Sequence, residues 1–228
     1  MNRYERQIAL PEIGEAGQRR LMAAKVLLIG VGGLGSPISL YLTAAGIGTL
    51  GIMDADVVSV SNLQRQVLYQ ENEVGRLKVE MAAKRLQALN SGVKIQPYPY
   101  RLTVENADDI IREYDIIVDG CDNFATRYLL SEVCSRLHKP YVYGAIQGFE
   151  GQVAVFDVDH HPMTYRDLYP EPVEASPLQK AVMGTTPALV GSVEANEVLK
   201  LIVGCGEPLY GQLWTIDLRT MQSYVVHL

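Results

Sequence analysis

The segment "KVLLIGVGGLGSP", residues 25–37, places an apolar run directly before a turn rich in glycine. The apolar run over 25–30 is typical of a buried parallel strand, and a helix is expected after the glycines. Gly30, Gly32 and Gly35 have the spacing G-x-G-x-x-G, which permits a tight turn and lets backbone amides approach a phosphate at the helix N-terminus. This order of strand, turn and helix predicts a nucleotide-binding turn.

Alternating helical and strand-like segments surround this turn and predict an α/β fold. Helices are predicted over residues 14–24, 36–46, 74–90, 104–114, 123–138 and 187–203, and strands over 25–30, 47–54, 93–100, 115–120, 140–146, 151–158, 211–218 and 222–228. This alternation indicates a Rossmann-like, doubly wound sheet that is mostly parallel, with added C-terminal antiparallel strands. We expect one domain over 1–228, made of an N-terminal helical arm (1–24), a nucleotide-binding core (25–150) and a C-terminal part (151–228).

The composition limits the function classes. The chain has 228 residues, of which 48% are hydrophobic, so it can fill a sizeable core. A formal net charge of -6 argues against a dedicated nucleic-acid binder. We find no signal peptide and no apolar run long enough to span a bilayer, which predicts a cytoplasmic protein with no membrane partner. The three cysteines form no CxxC pair, so no disulfide framework or cysteine-rich zinc site is indicated.

Asp54 completes the nucleotide-binding pattern. It stands at the end of the second predicted strand, after the first strand, turn and helix. An acid at this point of a βαβ unit is suited to accept hydrogen bonds from ribose hydroxyls. The glycine spacing by itself is weak evidence, but the strand, the helix and the acid in register favour nucleotide binding over a purely structural turn.

The polar residues that follow Asp54 indicate a triphosphate. An enzyme that acts on a triphosphate must neutralise charge as pyrophosphate leaves, and Arg65 and Lys78 supply positive charge. Asn62 and Gln66 add neutral donors. Asp122, at the carboxyl end of another predicted strand, is placed to hold a magnesium ion by its oxygens. The predicted ligands are therefore ATP and Mg²⁺.

Six segments carry a resemblance to a known family. They are "RYERQI" (3–8), "GVGGLGSP" (30–37), "DADVVSVSNLQRQ" (54–66), "VGRLKVE" (74–80), "DGCDN" (119–123) and "EGQVAVF" (150–156). The chain resembles the ThiF/MoeB/HesA family of bacterial ubiquitin-activating-like adenylyltransferases from residue 3 to about residue 218. The resemblance implies that ATP adenylates the C-terminal glycine carboxylate of a ubiquitin-like sulfur carrier ending in Gly-Gly, with release of pyrophosphate. It also implies that 151–228 is the part that binds the carrier.

The resemblance assigns roles to individual residues. The family's ATP-site positions fall on Gly32, Asp54, Asn62, Arg65 and Lys78, and the full set expected to bind the nucleotide adds Gly30, Gly33, Gly35 and Gln66. Asp122 falls at the magnesium position, and catalysis is expected from Arg65, Lys78, Asp122 and Arg6. Arg6 matches an arginine that the family sends across a homodimer interface into the partner's site, so a homodimer is implied.

The chain departs from the family at two features. Many members hold a structural zinc with two CxxC pairs, and this chain has Thr164 and Asp167 at the first pair, so no zinc site is expected. Some members carry a cysteine in the loop before the last long helix, and that position falls near Pro177. Cys121 is predicted to be a small buried hydrophobe rather than a nucleophile.

Several interpretations stay open at this point. The carrier is expected to be ThiS-like, from thiamin biosynthesis, because molybdopterin members usually keep the zinc cysteines, but a MoaD-like carrier of molybdopterin biosynthesis fits as well. A nicotinamide-dependent oxidoreductase on the same fold explains the glycines and Asp54, yet leaves Arg65, Lys78 and Asp122 without a task. A non-catalytic scaffold that binds the carrier is a third hypothesis, suggested by the missing cysteines.

Overall fold

The computed structural model describes residues 3–171 and 181–228 and is built around one sheet. Its strands are β1 (Lys25–Ile29), β2 (Thr49–Met53), β3 (Lys94–Tyr98), β4 (Ile116–Asp119), β5 (Tyr141–Gln147), β6 (Glu150–Phe156), β7 (Gln212–Asp217) and β8 (Gln222–His227). In the described residues the sheet has eight strands in the order β3-β2-β1-β4-β5-β6-β7-β8. Strands β1 to β5 are parallel, whereas β6, β7 and β8 join antiparallel. The predicted mostly parallel sheet with C-terminal antiparallel strands is confirmed.

The helices connect these strands and cover both faces of the sheet. They are α1 (Glu5–Ile8), α2 (Gly14–Ala23), α3 (Gly35–Ala45), α4 (Lys78–Leu89), α5 (Ala107–Arg112), α6 (Phe124–Arg136), α7 (Tyr165–Leu168) and α8 (Thr185–Val203), with 3₁₀ turns at Val60–Asn62 and Glu71–Glu73. In the part of the chain that the structure describes, no helix is long and apolar enough to cross a membrane.

Strand β1 shows why the sheet is buried on both sides. Its residues alternate between two hydrophobic cores, with Val26 and Leu28 in one and Leu27 and Ile29 in the other. The first core includes residues of α2, α3, α4 and α8, and the second includes residues of α5, α6 and α7. A strand covered on both faces has to be apolar along its whole length, which is why β1 reads as a continuous apolar run.

The order of the strands creates a crevice at the carboxyl end of β1. The chain goes from β1 to β2 and β3 on one side and then returns to β4 and β5 on the other. In the register, Ile29 of β1 lies beside Met53 of β2 and beside Asp119 of β4. Ligands of doubly wound sheets bind at such a switch point, because the loops leave it in opposite directions. The glycine turn stands at this position.

The predicted helix over 74–90 is wrong in its first turn. Helix α4 begins at Lys78, because Gly75 has a left-handed φ of 86° and Leu77 has an extended backbone with ψ of 128°. Val74, which the helical spacing placed on the apolar face, is instead 42% exposed. The helical spacing of apolar residues cannot detect a backbone that leaves the helical region.

The two shortest helices, α1 and α7, are not predicted as separate helices, although α1 lies within the predicted N-terminal helical arm (1–24). Each has four residues, which is too short to show a helical period. Helix α7 lies between the predicted strand over 151–158 and the predicted helix over 187–203, in a segment for which no helix or strand is predicted. The position near Pro177, where the family's loop cysteine would fall, lies outside the described residues.

A buried acid lies where α8 packs on β5. The side chain of Glu194 is fully buried, and neither carboxylate oxygen has a hydrogen-bond partner among the described residues. Gly144 of β5 leaves room for it, since a Cβ at that position would overlap the carboxyl group. Burial raises the pKa of Glu194 well above its usual range, and the charge of Asp119 adds to this effect while Arg127 opposes it. Burial in the folded protein therefore favours the protonated, neutral form of this carboxyl over the ionised form.

We expect Glu194→Gln to stabilise the fold more at about pH 8 than at about pH 5. The unfolded chain ionises this glutamate near its ordinary pKa of 4.5, whereas the folded chain does not. The native protein therefore loses stability as the pH rises above that value, by up to about 1.4 kcal/mol per pH unit until the folded pKa is reached. Glutamine removes this loss. Denaturant unfolding of both proteins at the two pH values measures the gain, and an equal gain at both would contradict the expectation.

Candidate active site

The glycine turn requires glycine at two positions for steric reasons. Gly30 has a left-handed φ of 89°, and a Cβ there would lie 2.5 Å from the carbonyl oxygen of Gly120. A Cβ on Gly35 would overlap the carbonyl oxygen of Gly30. Gly32 and Gly33 lie between them with half-exposed backbones. The turn thus packs against the end of β4 and exposes backbone at the N-terminus of α3, where an anion is favoured.

The peptide groups of Val31 fix this turn in the fold. The amide of Val31 donates to Asp54 Oδ2 at 3.0 Å, and its carbonyl accepts a hydrogen bond from the hydroxyl of Tyr69 at 2.7 Å. Asp54 Oδ1 also accepts from the amide of Asp56 at 2.8 Å. Burial raises the pKa of Tyr69, so its hydroxyl stays a donor. Sequence analysis did not select Tyr69, because nothing in its neighbours along the chain marks it as a partner of the turn.

Lys78 lies beside the predicted ribose-binding acid. Its ammonium is 3.3 Å from Asp56 Oδ2 and 4.0 Å from Asp54 Oδ2, and its side chain is 6% exposed. Burial raises the pKa of Asp54, while Lys78 and two backbone amides act in the opposite direction. The structure therefore brings Asp54 and Lys78 together at the carboxyl end of β2. Both groups are oriented by the chain's own hydrogen bonds and charges.

A tight loop carries two further predicted residues to the glycine turn. The carbonyl of Asn62 accepts from the amides of Arg65 and Gln66 at 3.0 Å and 2.9 Å. A Cβ built on Gly33 would lie 3.7 Å from Arg65 Cδ. A Cβ built on Gly32 would lie 3.3 Å from Gln66 Nε2, so both side chains lie against the turn. Gln66 is buried, and its Oε1 has no hydrogen-bond partner among the described residues. An unpaired buried acceptor beside an exposed turn indicates a group that is completed by a ligand.

Asp122 lies at the adjoining strand end. The turns after β1 and β4 are in contact, since the amide of Gly120 donates to the carbonyl of Ile29 at 2.7 Å. Asp122 is exposed and faces a cleft of about 510 Å³ between α6 and the antiparallel strands. Magnesium is commonly held by one or two carboxylates together with phosphates and water, so a single exposed acid next to a phosphate turn fits it. The cleft is also lined by Arg127, Tyr143, Gln152, Tyr165, Tyr169 and Tyr224.

Arg6 is not brought to the site within its own chain. Helix α1 packs at the far end of α3, where Gln7 Nε2 donates to the carbonyl of Ala45 at 2.9 Å. Helix α3 has 11 residues, which separates its two ends by about 16 Å. The exposed Arg6 side chain therefore lies apart from the glycine turn at the opposite end of that helix.

Cys121 lies next to Asp122 but is not activated. Its thiol donates to Asp119 Oδ1 at 2.7 Å. Burial and the negative charge of Asp119 raise the pKa of the Cys121 thiol well above its usual range, which outweighs the influence of Arg127. A nucleophilic cysteine needs the opposite shift. The geometry supports the prediction that this cysteine is structural rather than nucleophilic, although Cys121 is half-buried and not fully buried as predicted.

The position of the family's first zinc cysteines is occupied by a helix cap. Both the amide and the hydroxyl of Thr164 donate to Asp167 Oδ2, at 2.8 Å and 2.7 Å, and this lowers the pKa of Asp167. The pair starts α7 and offers no thiolate. In residues 3–171 and 181–228, no group of three or more histidine, cysteine or acidic side chains is arranged to hold a metal. These residues do not fit a tetrahedral zinc site.

Comparisons with known sequences agree with one another. A family model described as the ThiF family matches residues 4–228. The chain is 49% identical to a sulfur carrier protein adenylyltransferase of Thermus thermophilus, over 95% of this chain and 83% of that protein. It is 46% identical to a probable adenylyltransferase/sulfurtransferase, MoeZ, of Mycobacterium tuberculosis, over 96% of this chain and 58% of that protein. It is 42% identical to the adenylyltransferase and sulfurtransferase MOCS3-1 of Zea mays, over 99% of this chain and 49% of that protein. The chain thus spans only part of the length of the last two relatives.

Solved structures share the fold. A crystal structure of Escherichia coli MccB with ATP superimposes with a TM-score of 0.86 at 22% identity, covering 99% of this chain and 70% of that chain. A structure of PaaA gives a TM-score of 0.81 at 23% identity, covering 99% and 72%. At this level of identity the likeness concerns the arrangement of the sheet and helices.

We expect Tyr69→Phe to loosen the glycine turn. The change removes the hydrogen bond to the carbonyl of Val31, which should cost about 1 kcal/mol of stability and weaken ATP binding by roughly fivefold. Calorimetric titration with ATP and denaturant unfolding measure the two effects. Tyr114→Phe is the matched control, because Tyr114 is buried and loses a bond to the hydroxyl of Tyr98 instead. Equal weakening of ATP binding in both variants would contradict a specific role for Tyr69.

Proposed function

The chain belongs to the ThiF family, and on this premise we propose that it is an adenylyltransferase acting on a ubiquitin-like sulfur carrier. In the proposed reaction the C-terminal glycine carboxylate of the carrier attacks the α-phosphorus of ATP. An acyl-adenylate forms and pyrophosphate leaves. The similarity to adenylyltransferases supports adenylyl transfer over the nicotinamide-dependent alternative.

The observation that carries the proposal is that one cationic residue lies at the glycine turn and a second lies beside the acid that binds this turn. Arg65 lies over Gly33, and Lys78 lies beside Asp54. A site for a nicotinamide cofactor needs the turn and the acid, but not these additional charges. Cations beside a phosphate turn are what the departure of pyrophosphate requires.

Catalysis in this site rests on position and charge rather than on proton transfer. The attacking carboxylate is ionised at neutral pH, so no general base is needed. Asp54 is placed to accept hydrogen bonds from the ribose. Gln66 Oε1, which has no partner among the described residues, is an acceptor for a hydroxyl or amino group of the nucleotide and not for a phosphate. Arg65 and Lys78 hold the phosphates and oppose the charge that develops on pyrophosphate. Asp122 would hold magnesium, which neutralises phosphate charge when bound.

The cleft at Asp122 is the proposed path of the carrier tail. Its lining includes Asp122, Gly151 and Tyr224 of β8, and its walls combine tyrosines and polar side chains with apolar ones such as Phe124 and Ile146. An extended Gly-Gly tail has no side chains, so it suits a narrow path that ends at the nucleotide. We favour a ThiS-like carrier, and a MoaD-like carrier is the alternative that the experiment below separates.

Measurement of ATP–pyrophosphate exchange tests the function directly. With magnesium, exchange should depend on a carrier that ends in Gly-Gly, and the carrier that supports it identifies the pathway. ThiS-like and MoaD-like carriers should be compared, each with a matched control that lacks the terminal glycine. Absence of exchange with every carrier, in a protein that binds ATP, would contradict adenylation and favour a non-catalytic scaffold.

Removal of either cationic side chain should slow adenylation. We expect Arg65→Ala and Lys78→Ala each to lower the exchange rate by roughly a hundredfold or more, the scale of one preorganised electrostatic contact. Lys84→Ala is the matched control, because Lys84 lies exposed on the same helix as Lys78. Cys121→Ser should leave the rate unchanged, and a large loss in that variant would indicate a covalent step.

We propose that Arg6 acts in the site of a second subunit of a homodimer. Its place at the far end of α3 supports this, since it is remote from the glycine turn of its own chain. Mixing Arg6→Ala chains with Asp122→Ala chains should then restore part of the exchange activity, because some mixed dimers hold one intact site. Mixing two preparations of the Arg6→Ala chain is the control. Absence of rescue in confirmed mixed dimers would contradict action across the interface.

A further inference from the structure

A buried ion pair lies directly beneath the turn that carries Asp122. Arg127 Nε donates to Asp119 Oδ2 at 2.9 Å, and the side chains are 10% and 0% exposed. The hydroxyl of Tyr141 donates to the same carboxylate oxygen at 2.9 Å. No part of this pair was selected from the sequence, although Asp119 and Arg127 flank the "GCDNFAT" segment.

Besides their contact with each other, Arg127 and Asp119 form hydrogen bonds to the backbone of the turn that carries Asp122. Arg127 Nη2 donates to the carbonyl of Cys121 at 2.9 Å and to the carbonyl of Gly144 at 3.1 Å. Asp119 Oδ1 accepts from the amide of Cys121 at 2.8 Å. The two charged side chains therefore hold both backbone polar groups of Cys121, its amide and its carbonyl. They also tie it to the neighbouring strand β5.

In the chain, Asp122 lies between Cys121, whose backbone is held by the ion pair, and Asn123, which caps helix α6. On its other side the side chain of Asn123 accepts from the amide of Thr126 at 2.9 Å and starts α6. Both neighbours of Asp122 are thus fixed, while its own side chain is exposed toward the cleft. The backbone from which the Asp122 side chain projects is therefore held by hydrogen bonds on both sides.

Stability alone is a weak reason for such a pair. Two charges removed from water are often no more stabilising than apolar residues of the same volume. The planar fork of arginine, however, can bond a carboxylate and two carbonyls in fixed directions, which an apolar side chain or a lysine cannot do. The geometry of the contacts therefore indicates a positioning task.

We propose that Arg127 and Asp119 are positioning residues that orient Asp122 toward the metal–nucleotide complex. The inference rests on the proposed function, since it takes Asp122 as the magnesium ligand. Arg127 acts through the peptide of Cys121 and does not need to touch the nucleotide. Loss of such a supporting contact commonly weakens metal affinity by about 10- to 100-fold.

The test is a double-mutant cycle on metal-linked ATP binding. ATP affinity is measured by calorimetry with Mg²⁺, with Mn²⁺ and without divalent metal, in the wild type, Arg127→Lys, Asp122→Ala and the double variant. Arg127→Lys keeps the charge next to Asp119 but loses the fork. We expect it to reduce the gain in ATP affinity from metal by roughly tenfold, with little change in metal-free binding. In the Asp122→Ala background the same substitution should have no further effect, because it acts through that carboxylate.

A second pair of variants keeps the test independent of folding. Asp119→Asn preserves the shape of the partner and should cause the same selective loss, with the native fold checked by circular dichroism. Arg136→Lys is the matched control, since Arg136 lies on the same helix α6 and forms its ion pair with Asp108 instead of with the turn. It should leave metal-linked binding unchanged.

The outcomes separate this inference from the proposed function. A metal effect that is lost in Asp122→Ala but intact in Arg127→Lys and Asp119→Asn would overturn the positioning role and leave adenylation standing. An undiminished effect of Arg127→Lys in the Asp122→Ala background would overturn it too, because the role would then be structural. The magnesium site itself would be contradicted if metal did not change the ATP affinity of the wild type, or if Asp122→Ala kept the metal effect. Carrier-dependent ATP–pyrophosphate exchange would still test the adenylation reaction separately.

Discussion

One peptide segment, at Val31, connects the glycine turn to the rest of the molecule. Its amide is bound by Asp54 at the end of β2, and its carbonyl is bound by Tyr69 from the loop that follows. A turn made of glycines has many accessible conformations and loses much entropy on folding. These two hydrogen bonds select one conformation, so that the N-terminus of α3, the acid of β2 and the loop with Arg65 share a fixed geometry.

The charges around the site are arranged in two different ways. Lys78 lies against Asp54 and Asp56, and Arg127 lies against Asp119, so the buried cations already have anionic partners. A paired buried cation is held in place and is less free to move toward a ligand. Arg65 is half-buried over the glycine turn, where the N-terminus of α3 adds partial positive charge. In the proposed site, the attraction for phosphate would therefore come from the turn and Arg65 together, with Lys78 already oriented beside Asp54.

The accuracy of the sequence predictions follows the range of the interactions involved. Strands β1, β2 and β4 were predicted from apolar runs, because strands covered on both faces must be apolar throughout. The first turn of the helix predicted over 74–90 was wrong, because the left-handed Gly75 interrupts a pattern that looks helical. The one-turn helix α7 begins with a cap formed by Thr164 and Asp167. In the sequence these two residues were noted only because they stand where the family has zinc-binding cysteines, and the cap was not predicted.

The sequence by itself determined the glycine turn, the acid that follows it and the set of polar residues at the strand ends, because these depend on local spacing and on the strand and helix periods. The tertiary structure alone decided which of them meet. Tyr69 and Val31 are 38 residues apart, and Arg6 lies at the far end of α3 although its motif suggested a site residue. Buried polar groups must find partners wherever packing places them, and a periodic pattern contains no information about distant partners. For the same reason the pair of Arg127 and Asp119 became visible only in the folded chain.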